Sequence, residues 1–248
     1  LIGGETAEHP GLLGPDDYDV AGAATGAVEA GAQLGAHLVA DGDMVIALES
    51  SGLHSNGYSL VRHIVREAKV SYLDHSDDLA GLVGEVLLEP TRLYTSPLLG
   101  LLSDAPGAVH ALSHVTGGGI AANLARVLPV GSWVELERSS WSPASVFRVL
   151  ADWGSMALEE AEGTWNLGVG MIAVVGASNV DVVIAHLAAD GIPAWTLGVV
   201  STTPRDIVGS SLPVRPGDPS SHPGSAGWVQ GAKGVDGGAV RLVGEYRD

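Results

Sequence analysis

The apolar run MVIAL at residues 44–48 breaks into the polar, glycine-bounded SSGLHSNG at 50–57, after which apolar residues recur with helical spacing. The apolar run reads as a short buried strand. The helix that follows is predicted from about Gly57 to Lys69. Tyr58, Val61, Ile64, Val65 and Ala68 form its inner stripe, and Arg62, Arg66 and Lys69 fall in its later turns, where cations complement the helix dipole. Ser55 or Asn56 is placed to cap its start.

The same alternation continues along the chain. A helix is predicted over 78–88, with Leu79, Leu82, Val83 and Val86 inward and Pro90 as its stop, and another over 95–102. Residues 108–112 read as a strand leading into HVTGGG, followed by a helix over 120–127. A strand at 133–136, a helix at 143–152, a central strand in LGVGMIAVV at 167–175, a helix at 180–189 and a strand at 193–200 complete the series. The small-residue segment DYDVAGAATGAVE at 17–29 is read as a further strand and Asp41-Gly42-Asp43 as a turn. The expected fold class is α/β (α+β), a mixed sheet covered by helices. Residues 201–234 are rich in Ser, Pro and Gly and read as a flexible surface segment, with a last strand in 239–246. The expected divisions are 1–40, 41–200, 201–234 and 235–248.

Composition removes several classes of function. With 29 acidic against 12 basic side chains, the net charge of −17 leaves no basic surface to replace counterions on a nucleic acid, although backbone N–H groups can still hold a small phosphorylated ligand. There is no cysteine, so disulfides, zinc thiolates and thiol nucleophiles are excluded, and a reducing cytoplasm is the expected setting. No apolar run reaches the roughly 20 residues needed to span a bilayer, so no membrane partner is expected.

Three loops can carry chemistry. In Gly3-Gly4-Glu5-Thr6-Ala7-Glu8 the glycines allow close backbone approach and the carboxylates can hold a metal or orient an amine; taken alone, the pattern fits a glycine turn with solvated acids better, since short glycine runs are common. In SSGLHSNG a ligand would meet the unpaired N–H groups of a helix start, with Ser55, Asn56 and His54 supplying hydroxyl, amide and imidazole. His54 can transfer a proton near neutral pH; the alternative is a helix cap with a structural histidine. Thr116-Gly117-Gly118-Gly119, followed by Asn123, can cradle an anion or simply make a tight connection. It has neither the Gly-Lys-Ser/Thr of a Walker loop nor dinucleotide-fingerprint spacing. His110 and His114 stand four apart on a strand and loop, where metal ligation is not expected.

Taken in order, GGETAE, DYDVAG, SSGLHSNGYSLVR, LLEPTRLY, HVTGGGIAANLARVLP and NLGVGM resemble the phosphoribosylformylglycinamidine cyclo-ligase (aminoimidazole ribonucleotide synthetase) family from Leu1 to about Val200. SSGLHSNGYSLVR is the most diagnostic piece, whereas TGGG recurs across the wider superfamily. His9 and Leu167 stand where the family usually has Met. The chain opens on the glycine motif without an initiator Met, and is expected to be a C-terminal portion lacking most of an N-terminal ATP-binding domain.

The resemblance implies ATP-dependent cyclisation of formylglycinamidine ribonucleotide to aminoimidazole ribonucleotide, with ATP and Mg²⁺ as cofactors and a homodimer in the full-length form. It implies that His54 and Asn56 are catalytic, with Ser55 beside them at the reacting end of the substrate. Gly4, Glu5, Thr6 and Glu8 would face the nucleotide or its metal. Thr116, Gly117, Gly118, Gly119 and Asn123 would form the phosphate side. The alternatives are a non-catalytic phosphate-binding fragment, or another ATP-dependent member of the superfamily.

Overall fold

The computed structural model describes residues 22, 25–204, 227–232 and 234–247. Residues 1–33 and 34–248 form separate compact units. In the first, the described residues make no helix or strand, 25–29 of the expected small-residue strand included; a turn at Gly31 is closed by its N–H on Gln33 Oε1 at 3.0 Å. The rest of that expected strand, and of the GGETAE loop, lies outside the described residues.

The second unit is built on a four-stranded antiparallel sheet. Its strands are β1 (Met44–Glu49), β4 (Val109–His114), β6 (Val169–Val175) and β7 (Ala194–Val199), in the order β4-β6-β1-β7. Side chains of β1 alternate between two cores. Val45 and Ala47 join a cluster with Leu124, Leu136 and Val240, while Ile46 and Leu48 join one with Leu98, Val183 and Leu187. Burial on both faces explains why MVIAL and GMIAVV carry no polar alternation.

One face is covered by α3 (Thr95–Asp104) and α7 (Val180–Ala189). Against the other lie α4 (Gly119–Ala125) and a second sheet, ordered β5-β9-β8, of β5 (Trp133–Glu137), β9 (Val235–Val243) and β8 (Val229–Ala232). β5 and β9 run parallel, so the architecture is mixed, as expected from the sequence. A third cluster joins α1 (Tyr58–Glu67), α2 (Val83–Leu87) and α5 (Ser145–Trp153) through Val61, Ile64, Val65, Val83, Phe147 and Leu150. The short helix α6 (Leu158–Ala161), absent from the sequence reading, lies close to α5.

Three expectations need correction. The helix expected over 78–88 is only α2. Its first half falls in the turn and second strand of a small hairpin of β2 (His75–Ser76) and β3 (Gly81–Leu82), with Ala80 turned to φ 53°. The segment read as flexible contains β8, because Trp228 is buried and meets Trp133 edge-on at 5.9 Å, pinning the strand beside β9. The start of α1 has no side-chain cap: its N-cap is Gly57 at φ 80°, and both candidate caps are used elsewhere.

Candidate active site

Sheet topology explains why two loops far apart in sequence meet. β1 and β4 flank β6 and both run antiparallel to it, so their C-terminal ends reach the same edge. SSGLHSNG leaves β1 there and the triglycine loop leaves β4. They are joined directly: Gly117 donates its N–H to Asn56 Oδ1 at 3.0 Å.

The histidine loop is organised around Asn166, a residue to which the sequence reading gave no role. Its Oδ1 accepts from Ser50 Oγ at 3.1 Å and from Gly168 N–H at 2.8 Å, and its Nδ2 donates to Gly52 O at 2.9 Å. Ser51 Oγ donates to Pro90 O at 2.6 Å, and Ser55 Oγ lies 3.2 Å from Thr91 Oγ1, tying the loop to the LLEPTRLY segment. The loop ends at Gly57, where a Cβ would stand 2.5 Å from Trp165 Cδ1. No larger residue fits that turn.

His54 sits at φ 59°, in the left-handed region rarely used by residues other than glycine, and is only 4% exposed. Its Nε2 accepts the Ser51 N–H at 3.1 Å. The neutral ring therefore carries its proton on Nδ1, which is buried and has no partner among the described residues. Burial first, then the neighbouring His114 and Arg92, lower its pKa to about 4. His54, Tyr94 and His114 form a triangle of rings 6.2, 6.4 and 6.5 Å apart. Tyr94 donates its hydroxyl to Glu49 O at 2.7 Å, and burial raises its pKa. Gly170, at the start of β6, leaves room for this cluster, since a Cβ there would collide with Tyr94 and His54.

The triglycine loop is braced from within. Asn123 is fully buried; its Nδ2 donates to Thr116 O at 3.0 Å and to Gly119 O at 2.7 Å, and its Oδ1 accepts from Thr116 Oγ1 at 3.2 Å and from Arg126. Gly119 donates its N–H to Thr116 O at 3.1 Å and sits at φ 70°, with the Glu162 carbonyl where a Cβ would be. Gly117 and Gly119 thus use their N–H groups inside the protein. Glu162 in turn is clamped by Arg138, whose Nε and Nη2 donate to Oε1 at 2.6 Å and Oε2 at 3.0 Å; Tyr246 adds its hydroxyl to Oε1 at 2.7 Å.

The structure therefore brings together His54, Ser55, Asn56, Thr116, Gly117, Gly118, Gly119 and Asn123. Gly4, Glu5, Thr6 and Glu8 lie outside the described residues. Among the described residues no three His, Cys, Asp or Glu side chains stand together to hold a metal. Asn166, Gly170, Tyr94 and His114 were missed as site residues, although NLGVGM, LLEPTRLY and HVTGGG were the signals that contained them.

Comparison with known proteins decides the family. Residues 40–210 match the model described as AIR synthase related protein, C-terminal domain. The chain belongs to this family. It is 46% identical over 201 residues to phosphoribosylformylglycinamidine cyclo-ligase of Sorangium cellulosum (strain So ce56), covering 81% of this chain and 58% of that protein. The same enzyme of Burkholderia ambifaria (strain MC40-6) is 42% identical, covering 81% and 56%. The chain thus spans a little over half the length of these curated relatives. The crystal structure of thiamine-monophosphate kinase from Stenotrophomonas maltophilia K279a shares the fold, at 15% identity and a TM-score of 0.50 over 89% of this chain and 56% of that one.

Proposed function

We propose that this AIR synthase-related chain serves the ATP-dependent cyclisation of formylglycinamidine ribonucleotide to aminoimidazole ribonucleotide, with release of ADP and phosphate. The observation that carries this reading is the Asn56–Gly117 hydrogen bond, which sets a histidine-bearing loop beside a triglycine loop at one sheet edge. The curated relatives, named as cyclo-ligases over the same segment, support it.

The chemistry needs a leaving group and a held nucleophile. Transfer of a phosphoryl group from ATP to the formyl oxygen makes that oxygen a good leaving group, and attack by the amidine nitrogen on the activated carbon closes the ring. On the phosphate side, Gly118 keeps its N–H unpartnered among the described residues. Thr116 and Asn123 hold the loop's shape. On the substrate side, Ser55 and Asn56 present polar atoms. His54 is neutral at neutral pH with its Nε2 engaged, so of the roles the sequence left open, acid, base or hydrogen-bond donor, its proposed part is a hydrogen bond donated from Nδ1.

Mg²⁺ belongs to the proposal through the family alone. Among the described residues no three His, Cys, Asp or Glu side chains gather to hold it, so no step is assigned to it; Glu5 and Glu8 are proposed to face the nucleotide or its metal. A homodimer and a cytoplasmic setting are proposed on the same footing. No helix among the described residues is long and apolar enough to cross a membrane.

The test is to supply the full-length protein with formylglycinamidine ribonucleotide, ATP and Mg²⁺, and to measure ADP and aminoimidazole ribonucleotide together. Equal yields of the two are expected. Substrate binding without product would favour the phosphate-binding alternative, and ADP formed only with a different acceptor would favour another member of the superfamily.

A further inference from the structure

His54 was the obvious candidate for proton transfer, but the geometry of its ring cluster points to a neighbour. His54 is 4% exposed and its acceptor nitrogen is occupied by the Ser51 N–H. Tyr94 is 5% exposed and its proton is committed to Glu49 O. His114, the third ring, is exposed, and neither of its nitrogens has a partner among the described residues. It ends β4 two residues before Thr116, so it lies between the histidine loop and the triglycine loop. Its backbone is held there, because His114 pairs with Met171 on β6 and the next residue, Val115, donates its N–H to Gly170 O at 3.0 Å. An open imidazole on a fixed strand end, at the junction of the two loops, is what a proton acceptor needs.

We infer that His114 is a catalytic residue of this site and takes the proton released when the ring closes. The inference rests on the cyclisation reading above. In the step, a C–N bond forms between the amidine nitrogen and the formyl carbon. The bond from that carbon to the phosphorylated oxygen breaks, and the oxygen and its electron pair leave in phosphate. The proton lost by the nitrogen passes to a ring nitrogen of His114 and then to water. The groups facing His114 are His54 from the loop after β1 and Tyr94 from the segment before α3, with Glu49 and Arg92 behind them. Partial burial lowers the pKa of His114, so the ring is in its accepting form at neutral pH.

The experiment compares the full-length protein with its His114→Asn variant. Turnover of formylglycinamidine ribonucleotide is expected to fall about 10²–10⁴-fold, with KM changed by only a few-fold and the acid limb of the kcat–pH profile lost. Added imidazole is expected to restore part of the rate. Because His114 is exposed, the unfolding midpoint should not move. Unsubstituted kcat in the variant, or a loss confined to KM, would overturn the assignment to His114 alone. No product from the unsubstituted protein would overturn the cyclisation reading, and His114's role with it.

Discussion

Two polar clusters lie near the triglycine loop, and they are opposites. In the Arg138–Glu162–Tyr246 cluster every carboxylate oxygen is met: Arg138 grips both in a fork, Nη1 donates to Gly244 O at 3.0 Å, and Tyr246 completes the set. Burial alone would lower the Arg138 pKa, but the Glu162 carboxylate outweighs it and raises the pKa, so the guanidinium stays charged. In the His54–Tyr94–His114 cluster, by contrast, His54 Nδ1 and the Nε of nearby Arg92 are buried without partners among the described residues. Buried polar atoms are normally satisfied, and an unsatisfied one costs about 1–3 kcal/mol. The first cluster is fully paired around the wall behind Gly119, and the second is not.

The sharpest way to break this comparison is Arg138→Ala. It leaves the Glu162 carboxylate, 6% exposed, without its main partner, and breaking such a pair costs about 3–5 kcal/mol. The urea unfolding midpoint should fall accordingly. The double change Arg138→Met with Glu162→Leu removes both charges and should recover most of the loss. If the single variant unfolds like the parent, the clamp does not hold this region.

The histidine cluster should reveal itself through pH instead. The His54 pKa is about 4 when folded against 6.5 for the free side chain, so between these values the unfolded chain binds more protons. Its contribution to stability is present in full above pH 6.5 and is lost as pH falls through 4. At about 1.4 kcal/mol per unit, the loss is about 3 kcal/mol. The His114 pKa, also lowered, acts in the same direction. Unfolding free energies at pH 7 and pH 4 should thus differ less in a His54→Asn variant than in the parent. Equal differences would mean that His54 is not held neutral by its surroundings.

These contrasts also mark where sequence reading stops. Strands such as MVIAL and helices such as Tyr58–Glu67 were readable because periodicity reports burial directly, and the mixed sheet follows from their alternation. The histidine and triglycine loops were found as motifs, but their junction was not, because nothing local says that Asn56 spends its oxygen on Gly117 instead of on a helix cap. Asn166 and Gly170 stand more than 110 residues beyond His54 and serve it only through the antiparallel pairing of β1 with β6. The hairpin at 75–82 was hidden by apolar residues that also suit a helix. β8 was hidden by its composition: Ser, Pro and Gly around it masked Trp228, the anchor that decides its fate.

The finest test lies at the edge of the satisfied cluster. Tyr246→Phe deletes one hydrogen bond to Glu162 Oε1 but keeps the ring, which packs edge-on against Trp141 at 5.2 Å and lies 5.8 Å from the Arg138 guanidinium. Oε1 still receives Arg138 Nε at 2.6 Å, so no carboxylate oxygen is orphaned. The cost should be about 1 kcal/mol, the net value of one hydrogen bond, visible as a small fall in the urea midpoint. A loss as large as that of Arg138→Ala would mean that the guanidinium cannot hold Glu162 by itself. The wall behind Gly119 would then depend on the end of the chain as much as on the ion pair.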